Sequence, residues 1–237
     1  MVMPTSPDGF ALRIQRLKSD LIAQGRRVQS LTEDAFLAAS RKDAEAARRV
    51  VALDDAIDQV DVEIEQAAVG ILSDATREHA ALEPAQVREV LTIVKVNNEL
   101  ERIADLGVTI AERVTIARSL DQQIPPSVVV MGNSVIGILR DVVTSLEKAD
   151  AKLAKVALRS EDTLEAFKAA LLRDAENQIA LGKMTPDHGF FLSGVAAQLV
   201  SIADHCSNIA EQVIYSTTGA IVRHMTSGWV ELPRPGK

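Results

Sequence analysis

The sequence predicts an all-α fold built as two tandem three-helix bundles, with six main helices. Three observations carry that expectation. Helix breakers are few and clustered, apolar residues between them recur at steps of three and four, and the second half of the chain repeats the first.

The breakers come first. Pro4 and Pro7 mark the start, Pro84 follows a charged turn, and Pro125-Pro126 sit mid-chain. Pro186 follows Gly182, and Pro233 and Pro235 close the tail. They predict helices at about 9–41, 43–80, 84–119, 126–149, 150–182 and 186–218. The first bundle is expected over 9–120 and the second over 126–218, with Asp121 to Ser127 as the join and 219–237 as a loose tail.

The apolar stripes read Leu53, Ile57, Val60, Ile64, Ala67, Ile71, then Val96, Leu100, Ile103, Gly107, Ile110, Val114, then Val195, Leu199, Ile202, Cys206, Ile209, Val213. Alternating steps of three and four keep one stripe on one helix face, which must then pack against a partner helix. No strand-like alternation of useful length competes.

The repeat is visible in the sequence itself. Val96 to Val114 aligns with Val195 to Val213 at an offset of 99, and the match includes acids as well as seam residues: Asp105 with Asp204, Glu112 with Glu211. At an offset of 107, Asp43-Ala44 aligns with Asp150-Ala151, and Asp54-Asp55 and Asp58 with Glu161-Asp162 and Glu165. The shrinking offset makes the second hairpin eight residues shorter, about four per helix.

Composition limits the function. A chain of 237 residues with 47% hydrophobic content can bury a real core. Aromatics at 3% argue against an aromatic nucleic-acid platform, and a net charge of −7 has the wrong sign for a DNA or RNA binder. The single Cys206 excludes an intrachain disulfide and multi-cysteine zinc sites. No apolar run approaches the roughly 18–20 residues that span a bilayer, and Met1 to Gly9 has no signal-peptide pattern. The expectation is a cytoplasmic protein, neither embedded in a membrane nor bound to nucleic acid.

The acids point to chemistry. In an antiparallel hairpin centred near Leu82, Asp58 lies level with Asp105, with Asp54 one turn away; in one centred near Met184, Asp204 falls between Glu161 and Glu165. Asp54/Asp58, Glu101/Asp105 and Glu161/Glu165 are i, i+4 like-charge pairs, which cost a few tenths of a kcal/mol each on a helix. A hard multivalent cation with oxygen ligands offsets that cost. Two bland readings compete: a solvated acidic face, and neutralisation of the first cluster by Arg26 and Arg27, which fall near the level of Asp58.

Two segments then carry a resemblance. Asn97-Asn98-Glu99-Leu100-Glu101-Arg102-Ile103-Ala104-Asp105 resembles the PhoU family signature, in which Leu-Glu-Arg-Ile-Gly-Asp sits on the third helix of each bundle. Ile202-Ala203-Asp204-His205-Cys206-Ser207-Asn208-Ile209-Ala210-Glu211 is similar to its second copy, and the likeness covers about 10–225. It implies a non-catalytic regulator of phosphate uptake and phosphate-starvation signalling, whose partners are the ATPase subunit of a phosphate transporter and a sensor histidine kinase. By position it implies metal ligands at Asp54, Asp58, Glu101 and Asp105, and at Glu161, Asp162, Glu165 and Asp204. Iron, Mn, Mg and Zn are the candidate ions. Val200-Ser201 stands where the family has Glu-Arg, so the second site lacks a ligand. A homo-oligomer, a dimer, is also expected.

Other polar residues are set aside. His205 is read as solvent-facing and Cys206 as buried packing. Without Glu-x-x-His, a ferritin-type di-iron site is not predicted, and without a Gly-rich phosphate loop neither is nucleotide hydrolysis. A carboxylate-cluster enzyme and a purely structural helical adaptor remain the alternatives.

Overall fold

The computed structural model describes the backbone of residues 7–117, 121–159, 161–225 and 228–232; the side chains of 7–8, 116–117, 161–163 and of 224 onward lie outside the described set. Eight helices form among the described residues: α1 (Pro7–Arg41), α2 (Ala44–Val51), α3 (Asp54–Arg77), α4 (Pro84–Ala117), α5 (Pro126–Lys148), α6 (Ala151–Leu158), α7 (Glu161–Ala180) and α8 (Pro186–Thr218). The all-α, two-repeat fold stands, but the second helix of each repeat is broken in two.

The break falls at the same place in both repeats. Ala52 and Leu53 keep right-handed backbone angles (φ −71°, ψ −9° and φ −87°, ψ −13°), yet Leu53 N–H reaches back only three residues, to Val50 O at 3.0 Å. Arg159 repeats this, donating to Val156 O at 3.2 Å. A tightened turn re-aims the chain without leaving the helical basin, so no glycine or proline is needed to mark it. Leu53, first in the apolar stripe, is consequently 48% exposed.

The repeated Asp43 and Asp150 now have a local cause. Each caps a short helix: Asp43 Oδ1 accepts from the amides of Glu45 (3.0 Å) and Ala46 (2.9 Å), and Asp150 Oδ1 from those of Lys152 (2.9 Å) and Leu153 (3.1 Å). The residues before them, Lys42 (φ 55°) and Ala149 (φ 50°), are both left-handed, which turns the chain sharply from a long helix into a short one.

The core runs along the predicted stripes. Val96, Leu100, Ile103, Ile110 and Val114 are buried in α4, as are Val195, Leu199, Ile202, Cys206, Ile209 and Val213 in α8. α4 packs most broadly on α1 and α8, and α8 on α4, α5, α6 and α7, so the two third helices form the centre of the molecule. They run antiparallel: Glu89 meets Ser216, Glu99 meets His205 and Asn208, and Arg113 lies against Gly194. Phe36 of α1 sits directly on Gly132 of α5, where an added Cβ would fall 2.0 Å from the ring.

Two further expectations need correction. Over its described residues the stretch 219–237 is not a loose tail: β1 (Ile221–Met225) and β2 (Gly228–Leu232) pair antiparallel, Ile221 opposite Leu232, and β1 packs against α8, while 226–227 and 233–237 lie outside the described residues. Val222 is buried in that contact. α5, in turn, is long and apolar enough by length and composition to cross a membrane. Asn133, Ser134, Arg140 and Asp141 obscure the run in the sequence. Its apolar face, including Met131, Val135, Leu139 and Val142, is packed inside the bundle.

Candidate metal centre

The acids of the first repeat come together. Asp54 and Asp58 on α3 and Asp105 on α4 place carboxylate oxygens within 4.8 Å of one another, and this is the one such trio among the described residues. The i, i+4 spacing puts Asp54 and Asp58 on one side of α3, and the antiparallel hairpin brings Asp105 level with them.

Burial differs within the trio. Asp58 and Asp105 are exposed, while Asp54 is half-buried and its Oδ1 is shielded without a hydrogen-bond partner. Burial, then the charges of Asp58, Asp105, Asp55 and Glu112, pushes the Asp54 carboxyl above its ordinary range. Glu101 is raised by burial and by Asp105, Asp61 and Asp58, against a smaller opposing effect of Arg102. Glu101 therefore shares the field of the cluster without belonging to the trio.

Sequence reasoning missed Asp61. It follows Asp58 by three residues on the same side of α3, and its carboxyl is raised by burial, Glu65 and Asp58. Asn97 Nδ2, in the buried wall of α4, donates to Asp61 Oδ1 at 2.6 Å and to Asp61 O at 3.0 Å, fixing the two helices at this height. The 4, 3 spacing of Asp54, Asp58 and Asp61 was the available signal.

The competing arginines are engaged elsewhere. Arg26 pairs with Glu147 at 2.6 Å, and Arg27 Nη1 donates to Gln24 Oε1 at 3.3 Å.

The second repeat differs. Glu165 pairs with Lys168 at 3.3 Å, and Asp204 is exposed on α8. The Glu161 and Asp162 side chains lie outside the described residues. Val200, at the position of Glu101, is 3% exposed and belongs to the core. His205 is not solvent-facing: its Nδ1 lies 2.7 Å from Glu99 Oε2, which also accepts from Asn208 Nδ2 at 3.1 Å. Burial raises the Glu99 carboxyl, but those hydrogen bonds and the nearby charges of His205 and Arg102 outweigh it, and the net shift is downward. Cys206 is fully buried, as expected of a seam residue, and burial followed by the Asp204 charge pushes its thiol far up.

The PhoU domain profile matches residues 21–114 and 128–213, one copy in each repeat. The chain belongs to the PhoU family. Among its PhoU relatives, the "phosphate-specific transport system accessory protein PhoU homolog" of Zymomonas mobilis is 31% identical over 190 residues, covering 78% of this chain and 76% of its own. The PhoU homolog 1 of Thermotoga maritima is 27% identical, covering 92% of this chain and 93% of its own. The crystal structure of PhoU from Pseudomonas aeruginosa superposes with a TM-score of 0.81 at 25% identity over 89% of this chain and 99% of that one. The phosphate transport system regulatory protein PhoU from Streptococcus pneumoniae shares the fold with the same TM-score at 23% identity, over 90% of this chain and 99% of its own.

Proposed function

We propose that this PhoU-family chain is a non-catalytic accessory regulator of phosphate-specific transport and phosphate-starvation signalling. Its contacts with partner proteins would run through a metal-bearing acidic face. The names of its relatives, phosphate-specific transport system accessory proteins, support the transport part of that reading. The observation that carries the second is the trio Asp54, Asp58 and Asp105 with an orphaned, shielded Asp54 oxygen.

The residues present fit a hard cation. All three donors are carboxylate oxygens, the set preferred by Mg²⁺, Mn²⁺ and iron rather than by soft ions. Asp54, Asp58 and Asp105 would hold the ion, with Glu101 and Asp61 close enough to support it. When bound, the cation neutralises the cluster and offers positions to oxygen ligands from a partner. Without it, the same face attracts basic segments, so occupancy changes which partners bind.

The proposed partners are the transporter's ATPase subunit and a membrane sensor kinase, met on the cytoplasmic side, with two copies of the chain assembling together. The test compares the parent with a variant carrying both Glu101→Gln and Asp105→Asn. It should bind at least one partner about tenfold more weakly, with helicity and melting temperature nearly unchanged. Unaltered affinity and salt dependence for both partners would show that the acidic face serves solubility alone.

A further inference from the structure

We infer that the groove where the C-terminal hairpin closes over the junction of the two repeats is a binding site for a small oxyanion. The groove lies between α4, α8 and β1 and encloses about 140 Å³. It sits apart from the α3–α4 acids, on the face where α4 and α8 cross.

Its polar walls hold unused hydrogen-bonding capacity. Gln212 is 8% exposed, lines the groove, and its carboxamide makes no hydrogen bond within the described chain. Thr92, on the facing helix, is 3% exposed, and its hydroxyl oxygen is buried without a partner. Leaving the Thr92 oxygen unpaired costs about 1–3 kcal/mol, a penalty a ligand or ordered water removes. Tyr215, also lining the groove, adds a phenol.

Charge selects the class. Lys95 lines the groove and has no carboxylate partner among the described residues. The Arg223 guanidinium, carried in by β1, pairs with the buried Glu211 and cancels it. The walls therefore hold one uncompensated positive charge in a protein of net charge −7. An ammonium, an amide and hydroxyls around a small space are the donor set for an anion. A cavity of this size matches one of about 150 Å³ that admits a benzene-sized molecule, so the ligand has roughly four to eight non-hydrogen atoms. Inorganic phosphate, sulfate and short carboxylates all qualify.

The internal repeat shows why only one end of the α4–α8 junction has the site. At the offset of 99, Lys95 and Gln212 correspond to Gly194 and Arg113. There the Arg113 side chain lies on Gly194, where an added Cβ would be 2.3 Å from Nη1, and fills the space. The hairpin wall, moreover, follows α8 alone.

The test is calorimetric titration of the full-length chain, in the presence of EDTA, with inorganic phosphate, sulfate and acetate at constant ionic strength set by chloride. At least one should bind with a stoichiometry of one per chain. Lys95→Gln and Gln212→Ala should each weaken it about tenfold, with an unchanged melting temperature, as expected for loss of one charge-assisted or buried hydrogen bond. Asp105→Asn should leave it unchanged, which separates this site from any anion held by a metal on the acidic face. No saturable binding of any of the three, or binding indifferent to both Lys95→Gln and Gln212→Ala, would overturn the inference.

Discussion

The α3–α4 hairpin and the α7–α8 hairpin descend from one pattern and present different faces. In the first, three carboxylates converge and one oxygen of Asp54 is left without a donor. In the second, Glu165 is answered by Lys168, and the position of Glu101 is taken by the buried Val200. The apolar seams meanwhile match except where Gly107 faces Cys206 in the alignment: Ile103 and Ile202 are both fully buried, as are Leu100 and Leu199 to within 1%. Repeats diverge where divergence is inexpensive, on the surface, and stay alike where packing tolerates no change of volume.

That contrast can be broken most sharply at the seam. Ile103→Ala and Ile202→Ala should each cost about 2–5 kcal/mol, and by similar amounts, in denaturant unfolding. A large inequality would mean that the two seams are not mechanical equivalents.

The acidic faces should respond unequally. Asp105→Asn should lower metal affinity by at least the ~10–100-fold that loss of an outer-shell partner already costs, whereas Asp204→Asn should leave total uptake nearly intact. Elemental analysis and metal titration of both variants decide it, and equal losses would restore symmetry between the repeats.

Acidification should separate the halves by sign. Asp54, Asp61 and Glu101 have raised carboxyls in the folded chain, so the metal-free protein binds more protons folded than unfolded just above the ordinary carboxylate range. Their contribution is complete below the unfolded values and is lost as pH rises through the folded ones. His188 of the second repeat behaves oppositely. It is 1% exposed, its Nε2 lies 3.2 Å from Gln123 O, and burial followed by the charge of Lys42 lowers its pKa from 6.5. Its contribution is complete above 6.5 and is lost as pH falls toward the lowered value. Stability measured against pH should therefore lose part of its acid-side gain in Asp54→Asn and part of its loss below 6.5 in His188→Gln.

The smallest effect also carries opposite signs. In metal-free protein, Asp58→Asn should stabilise by a few tenths of a kcal/mol, by relieving like-charge repulsion. Glu165→Gln should destabilise by about the same amount, by losing the Lys168 pair. Thermal melts of the two variants at low salt resolve the difference.

What the sequence determined by itself is local and periodic. Helix spans, the repeat, the seams and the level of Asp58 with Asp105 all follow from 3.6-residue periodicity and short connections, because a hairpin with a short loop admits few registers. Tertiary structure decided what depends on partners distant in sequence. The breaks at Ala52 and Arg159 carry no glycine or proline, and beyond them α2 and α6 pack against the central helices α4 and α8. His205 found Glu99 because α4 and α8 cross antiparallel, an arrangement no local pattern encodes. The hairpin of β1 and β2 folds back because Val222 and the Arg223–Glu211 pair gain a surface that the folded α8 offers. Periodicity constrains neighbours along the chain, whereas the burial and pairing of remote groups is settled by the assembled core.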